Sequence, residues 1–168
     1  MGLTMAALRL NPLPVGIVAA LLTFGIDQGF KYWMLDVYGI ETQAGVRLAP
    51  FLDVIIAWNR GVSYSLFTAD SDAGRIALLA VYAVAVLAFG IWMLRSTSAL
   101  TSAALGMLMG GATGNALDRL RFGAVADFFH VHFAGFSPWG VFNLADIAIV
   151  AGVVLLLYES FFVRDEQS

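Results

Sequence analysis

Four apolar runs dominate the chain, and each has the length of a membrane-crossing helix. The first extends from about Pro14 to Met34, the second from Gly74 to Leu94, the third from Ser98 to Asp118 and the fourth from Val141 to Phe162. Ile76–Leu94 and Ser96–Leu117 contain no charged residue. Trp33, Trp92 and Trp139 fall near the ends of the runs, as an interfacial aromatic belt would. Gly106, Gly110 and Gly114 repeat at four-residue spacing, a small-residue pattern that predicts close helix packing. The first run is too long for a signal-peptide core and carries Asp27 and Lys31, so a retained span is expected. No repeat, linker or low-complexity segment divides residues 1–168, and one integral membrane domain is expected.

The connections have a different pattern. Asp53–Trp58 is β-prone, Asn59–Phe67 alternates small and bulky residues, and Phe128–Phe133 has similar character. The expected architecture is an all-α membrane protein of four transmembrane helices with a small extramembrane β-platform, drawn from the helix 1–2 connection. Such a platform could take an extended peptide by strand addition.

Polar residues interrupt the apolar pattern at Asp27/Lys31, Asn59, Asn115/Asp118/Arg119 with Asp127, and Asn143/Asp146. With four spans, the helix 1–2 and 3–4 connections share one side, so all of these groups converge beneath one membrane surface. Ionisable groups at such depth are costly and mark function. The sidedness stays open. Arg47, Arg60, Arg75, Arg119 and Arg121 belong to the shared face, against Arg9, Arg95 and Arg164 opposite. Counted literally, these would put the site on the cytoplasmic side, but arginines held by the site carry no topological information.

Composition agrees: 60% of residues are hydrophobic and 12% charged, with mean hydropathy +0.83, outside the range of soluble domains. A net charge of −3 and no basic stripe argue against nucleic acid. The absence of cysteine removes thiol catalysis, disulfides and thiolate metal sites.

Spacing sharpens the chemistry. Asp27 and Lys31 stand at i,i+4 and can pair, either as a structural ion pair or in a direct functional role. Asn115, Asp118 and Arg119 share a helix face; Arg119 keeps its proton and is expected to neutralise a carboxylate, so Asp118–Arg119 reads as scaffold. Asn143 and Asp146 stand at i,i+3 on helix 4. Asp127 and Asp146 are left with the fewest structural excuses. Two neighbouring carboxylates in a low-dielectric site share one proton, so one can activate water while the other polarises a carbonyl.

Rival chemistries fit less well. His130 and His132 with Asp127 match no strong metal-ligand spacing, and HExxH is absent. Gly61-Val62-Ser63-Tyr64-Ser65 is not a serine-nucleophile elbow. A proton-coupled carrier using Asp27, Asp118 and Asp146 would need polar residues through both leaflets, yet helix 2 and the inner halves of the others read as bare. A structural adaptor would not explain converging carboxylates.

Five segments, in order, resemble the bacterial lipoprotein signal peptidases, also called signal peptidase II, over nearly the whole chain. They are Asp27-Gln28-Gly29-Phe30-Lys31, Asn59-Arg60-Gly61-Val62-Ser63-Tyr64-Ser65, Gly110 through Arg119, Gly123 through Phe128, and Phe142-Asn143-Leu144-Ala145-Asp146. Tyr64 departs from the family's usual phenylalanine. The resemblance implies an aspartic endopeptidase of the bacterial cytoplasmic (inner) membrane, with both termini cytoplasmic and its active site near the outer face. Such an enzyme cleaves diacylglyceryl-modified prolipoproteins before the lipidated cysteine. Asp127 and Asp146 would be the catalytic dyad, supported by Asp27, Lys31, Asn59, Gly61, Asn115, Asp118, Arg119, Asn143 and Ala145. No cofactor or metal is expected. A monomer in contact with membrane lipid, inhibited by the cyclic peptide globomycin, completes the expectation.

Overall fold

The computed structural model describes residues 11–61, 72–133, 136–137 and 140–163. Arg9, Val62–Phe67, Trp139 and Arg164–Ser168, which bear on the sequence reading, lie outside the described residues.

Helix α1 spans Leu13–Tyr32, opening with prolines where the first turn has backbone donors to spare. It runs on through a wider turn, Trp33–Val37. Helix α2 spans Asp72–Arg95 and α3 spans Ala99–Phe122. Ser98 caps α3 by accepting from Leu100 N and Thr101 N, each at 3.2 Å. Helix α4 spans Leu144–Tyr158 and continues through a wider turn, Glu159–Val163. The segments Leu13–Val37, Asp72–Arg95 and Leu144–Phe162 are long and apolar enough to cross a membrane.

The third predicted span is the central helix. Twelve residues of α3 are buried, among them Ala104, Leu105, Leu108 and Ala112, whereas Met93 is the one buried residue of α2. The glycine stripe explains this position. A Cβ on Gly106 would collide with the Gly16 carbonyl, and one on Gly110 would stand 2.5 Å from the Ala20 carbonyl, both on α1. On the other flank, a Cβ on Gly111 would reach the Ala145 carbonyl of α4 at 2.7 Å. Large apolar side chains such as Leu21, Ile26, Val84, Leu87 and Val154 point outward. That is the reverse of a soluble core, and it fits a lipid-facing surface.

Both connections on one side enter a single antiparallel sheet of order β1-β2-β3, with β1 Val46–Ala49, β2 Leu52–Asn59 and β3 Val125–Val131. Met34, Ile40, Val54, Ala126 and Phe128 pack beneath it. Phe30 joins it to α1, edge-on to Phe128 and stacked on Phe129 with centroids 5.5 Å apart in each case.

Three expectations need correction. The platform is not built from the helix 1–2 connection alone, because β3 comes from the helix 3–4 connection. Strand β2 also pairs with β1 through a hairpin at Ala49–Leu52, while most of the Asn59–Phe67 stretch lies outside the described residues. Helix 3 runs a full turn beyond Asp118 because good helix formers continue to Gly123, which ends it at φ 74 in the left-handed region. Helix 4 begins at Leu144, so Asn143 is its cap and does not share a helical face with Asp146.

Candidate active site

Two polar layers meet where α1, α3, α4 and the sheet converge. The deeper one is an ion-pair lock. Lys31 Nζ lies 2.8 Å from Asp27 Oδ2 and 2.7 Å from Asp118 Oδ2, and all three side chains are buried. Asp27 Oδ1 accepts from the Ala145 N–H at 3.0 Å. Asp118 Oδ2 also accepts from the Ala126 N–H at 3.2 Å. Gln28 Nε2 reaches Asp27 Oδ2 (3.1 Å), Asp118 Oδ1 (3.0 Å) and the Gly114 carbonyl (3.2 Å). One cation and this set of donors therefore satisfy both carboxylates, as a buried charge requires. Asp27 thus fastens α1 to α4, and Asp118 fastens α3 to β3. Asp27 and Lys31 thus form the ion pair that their i,i+4 spacing allows, and Lys31 is shared with Asp118.

Asp127 and Asp146 form the second layer. Among the described residues neither has a cation within bridging distance. Asp127 sits on β3 opposite Ala57 of β2, and Asn59, two residues farther along β2, lies on the same face of the sheet. Asn59 Nδ2 donates to Asp127 Oδ2 at 3.1 Å. Asp146 stands at the third position of α4 in a reciprocal capping box. Its N–H donates to Asn143 Oδ1 at 2.9 Å, and its Oδ2 accepts from the Asn143 N–H at 3.2 Å. Asn115 Nδ2 donates to Asp146 Oδ1 at 2.9 Å.

Asn143 joins the pair. Its Nδ2 donates to Asp127 Oδ1 at 2.6 Å and to Asn115 Oδ1 at 3.1 Å. Asn115 Oδ1 also accepts from Lys31 Nζ at 3.2 Å, which links the two layers. Asp127 is buried and its pKa is pushed up to about 7, first by burial and then by the charge on Asp146; hydrogen bonds from Asn59 and Asn143 and the charge on Lys31 oppose the shift. Asp146 is partly open and stands in the first turn of α4.

The structure thus draws together every sequence-derived candidate: Asp27, Lys31, Asn59, Gly61, Asn115, Asp118, Arg119, Asp127, Asn143, Ala145 and Asp146. Arg119 behaves differently from expectation. Among the described residues it neutralises no carboxylate; Nη2 donates to the Gly61 carbonyl at 2.8 Å, and Nη1 to Tyr82 Oη at 3.0 Å and the Asn115 carbonyl at 3.4 Å. Helix α2 is accordingly not bare, since Tyr82 reaches the site. Nor are the inner halves, where buried Glu159 accepts from the Thr101 hydroxyl beside buried Ser102. Sequence reasoning gave Gln28 no role of its own, although its place between Asp27 and Lys31 was a signal. His132 pairs with Asp53 at 2.9 Å and His130 meets Ser137 Oγ at 2.9 Å, so neither turns toward Asp127.

Comparison with known proteins agrees with this geometry. The family described as signal peptidase (SPase) II matches residues 19–162. The lipoprotein signal peptidase of Methylocella silvestris is 52% identical over 153 residues, covering 91% of this chain and 89% of that protein. That of Nitrobacter hamburgensis is 51% identical over 155 residues, covering 90% and 94%. A bacterial membrane enzyme solved by the in meso method at 2.3 Å resolution shares the fold, with TM-score 0.74 and 22% identity over 89% of this chain and 91% of that one. Several helices apolar enough to cross a bilayer make the protein a multi-pass membrane protein. With the match running from α1 to the end of α4 and relatives half identical along it, this chain belongs to the signal peptidase II family of peptidases.

Proposed function

We propose that the protein is an aspartic endopeptidase that removes the signal peptide from diacylglyceryl-modified prolipoproteins, cutting before the lipidated cysteine. One observation carries the reading: Asp127 and Asp146 are the two site carboxylates outside the Lys31 lock, and Asn143 bonds to both. Asp146, at the start of α4, takes a proton from a water held between the carboxylates. Asp127, which retains its proton near neutrality, donates to the carbonyl oxygen as the tetrahedral intermediate forms. The proton gained by Asp146 then passes to the leaving amine as the peptide bond breaks, and Asp127 takes back a proton from a hydroxyl of the collapsing gem-diol, which leaves the carboxylic acid product and restores the dyad. No cofactor enters these steps.

The supporting residues divide by contact. Asn59, Asn115 and Asn143 orient the dyad. Asp27, Lys31, Asp118 and Ala145 hold the helices that present it, and Arg119 with Gly61 secures the end of β2. The substrate enters laterally, its acyl chains staying in lipid, and its peptide lies extended beneath the sheet. The α3 helix serves as a fourth span; its 24 residues give roughly 36 Å, sufficient to cross. Residues 1–168 then form one integral membrane domain of the bacterial cytoplasmic (inner) membrane. In this arrangement the termini are cytoplasmic, the sheet lies outside the bilayer and the dyad sits near the outer face. The enzyme works as a monomer surrounded by lipid, and globomycin occupies the dyad.

The test is a gel-shift assay on purified protein with a diacylglyceryl-modified prolipoprotein, its unlipidated counterpart, and globomycin. Cleavage confined to the lipidated substrate and blocked by globomycin is expected. An intact lipidated substrate beside a folded protein would refute the assignment.

A further inference from the structure

We propose that Tyr82 is a positioning residue of the peptidase site, a role that rests on Asp127 belonging to the catalytic dyad. Tyr82 lies on α2, the helix with the fewest buried side chains, yet it is itself half-buried against α3. Its hydroxyl accepts from Arg119 Nη1 at 3.0 Å, and the guanidinium carbon stands 5.2 Å from the ring centroid. The same guanidinium donates through Nη2 to the Gly61 carbonyl at 2.8 Å. The Gly61 N–H donates to Asn59 Oδ1 at 3.1 Å, which turns Asn59 Nδ2 toward Asp127 Oδ2, also at 3.1 Å. A continuous path of four hydrogen bonds therefore runs from α2 through Arg119, Gly61 and Asn59 to the dyad.

Arg119 needs such a partner. It is a long side chain with five donors, buried, and its described partners are all neutral oxygens. Without the tyrosine hydroxyl, Nη1 keeps, among the described residues, only the longer contact of 3.4 Å to the Asn115 carbonyl. The guanidinium can then swing, and its grip on Gly61 and on the Asn59 carboxamide loosens. If Tyr82 served packing alone, the ring would suffice and the hydroxyl would be dispensable.

The experiment compares the full-length wild type, Tyr82→Phe, Asn59→Ala and the double variant on a diacylglyceryl-modified prolipoprotein, with thermal unfolding followed on the same samples. Phenylalanine keeps the ring, so folding is preserved. For Tyr82→Phe, kcat falls about tenfold, the scale of one hydrogen bond to a charged group, with KM changed less than about twofold. The alkaline limb of its kcat–pH profile moves upward, because the Asn59 hydrogen bond favours ionised Asp127 and is weakened. In the Asn59→Ala background the further loss shrinks below about twofold, since both residues act through one path.

A Tyr82→Phe enzyme with wild-type kcat and pH limb, a change confined to Tm, or a full additional loss in the Asn59→Ala background would each overturn the positioning role. Asp127→Asn, assayed alongside, keeps the two readings apart. Retained activity there removes the dyad, whereas a wild-type rate in Tyr82→Phe alone removes only the role of Tyr82.

Discussion

Asn143 Nδ2 stands 2.6 Å from Asp127 Oδ1, and the same residue caps α4 in a reciprocal exchange with Asp146. One neutral side chain therefore fixes a carboxylate on a strand relative to a carboxylate on a helix. A lysine or arginine in this place would favour the doubly ionised pair and remove the shared proton that acid–base chemistry needs.

Asn143→Ala breaks both contacts at once. We expect kcat to fall about 100-fold through misplacement of the dyad, and stability to fall by about 1 kcal/mol from the lost helix cap. Single-turnover cleavage combined with thermal unfolding in detergent separates the two effects. A normal rate in a destabilised protein would limit Asn143 to capping.

The pH dependence follows from Asp127. In the proposed mechanism Asp127 is the acid, and with its pKa pushed up to about 7 that proton is lost as pH rises through neutrality, so kcat is expected to decline on the alkaline side near that value. The stability sign is opposite to that of an ion-paired aspartate. An unfolded Asp127 ionises near 3.8 while the folded one keeps its proton to about 7, so between these values the native state binds more protons and stability falls as pH rises. Asn59→Ala removes a donor that favours the anion and should shift the kinetic limb upward. A downward shift would contradict the hydrogen-bond assignment.

Lys31→Met leaves Asp27 and Asp118 buried without their cation. The expected cost is about 3–5 kcal/mol, enough to prevent accumulation of folded protein. Asp27→Asn should be much milder, because Asp118 keeps its ion pair and an amide oxygen can still accept from Ala145 N. Relative yields after detergent extraction and Tm values order the two variants; equal losses would argue against a shared lysine.

Gly114→Ala tests the close approach of α1 and α3. The new Cβ would stand 2.6 Å from Asp27 Oδ2 and push the carboxylate off Lys31, whereas a Cβ on Gly90 meets only Met109 Cε at 3.6 Å. Gly114→Ala should cost about 1–3 kcal/mol and Gly90→Ala almost nothing, as read by thermal unfolding.

Much of this was legible in the sequence because burial of charge is so costly in an apolar chain. Asp27, Asn115, Asp127, Asn143 and Asp146 stood out against their surroundings, and helix parity brought them to one side. The glycine stripe announced a close helix contact, although spacing could not show that Gly114 also makes room for the Asp27 carboxylate. What escaped depended on partners distant in sequence. Lys31 was visible beside Asp27, but its second carboxylate, Asp118, becomes a neighbour only when α1 packs on α3. Arg119 looked like a counter-ion because local spacing offers Asp118, yet that carboxylate is taken by Lys31, Gln28 and a strand N–H. Tyr82 was hidden in an apolar run, where a single tyrosine carries no periodic signal. The strand partners were misjudged for a similar reason: β-propensity marks a strand but does not say which segment pairs with it.

The most direct test of the dyad is cleavage of a diacylglyceryl-modified prolipoprotein by Asp127→Asn and Asp146→Asn, each purified and shown to be folded by thermal unfolding. Loss of turnover in both, with substrate still bound, is the predicted result. Retained turnover in either folded variant would contradict a two-carboxylate mechanism.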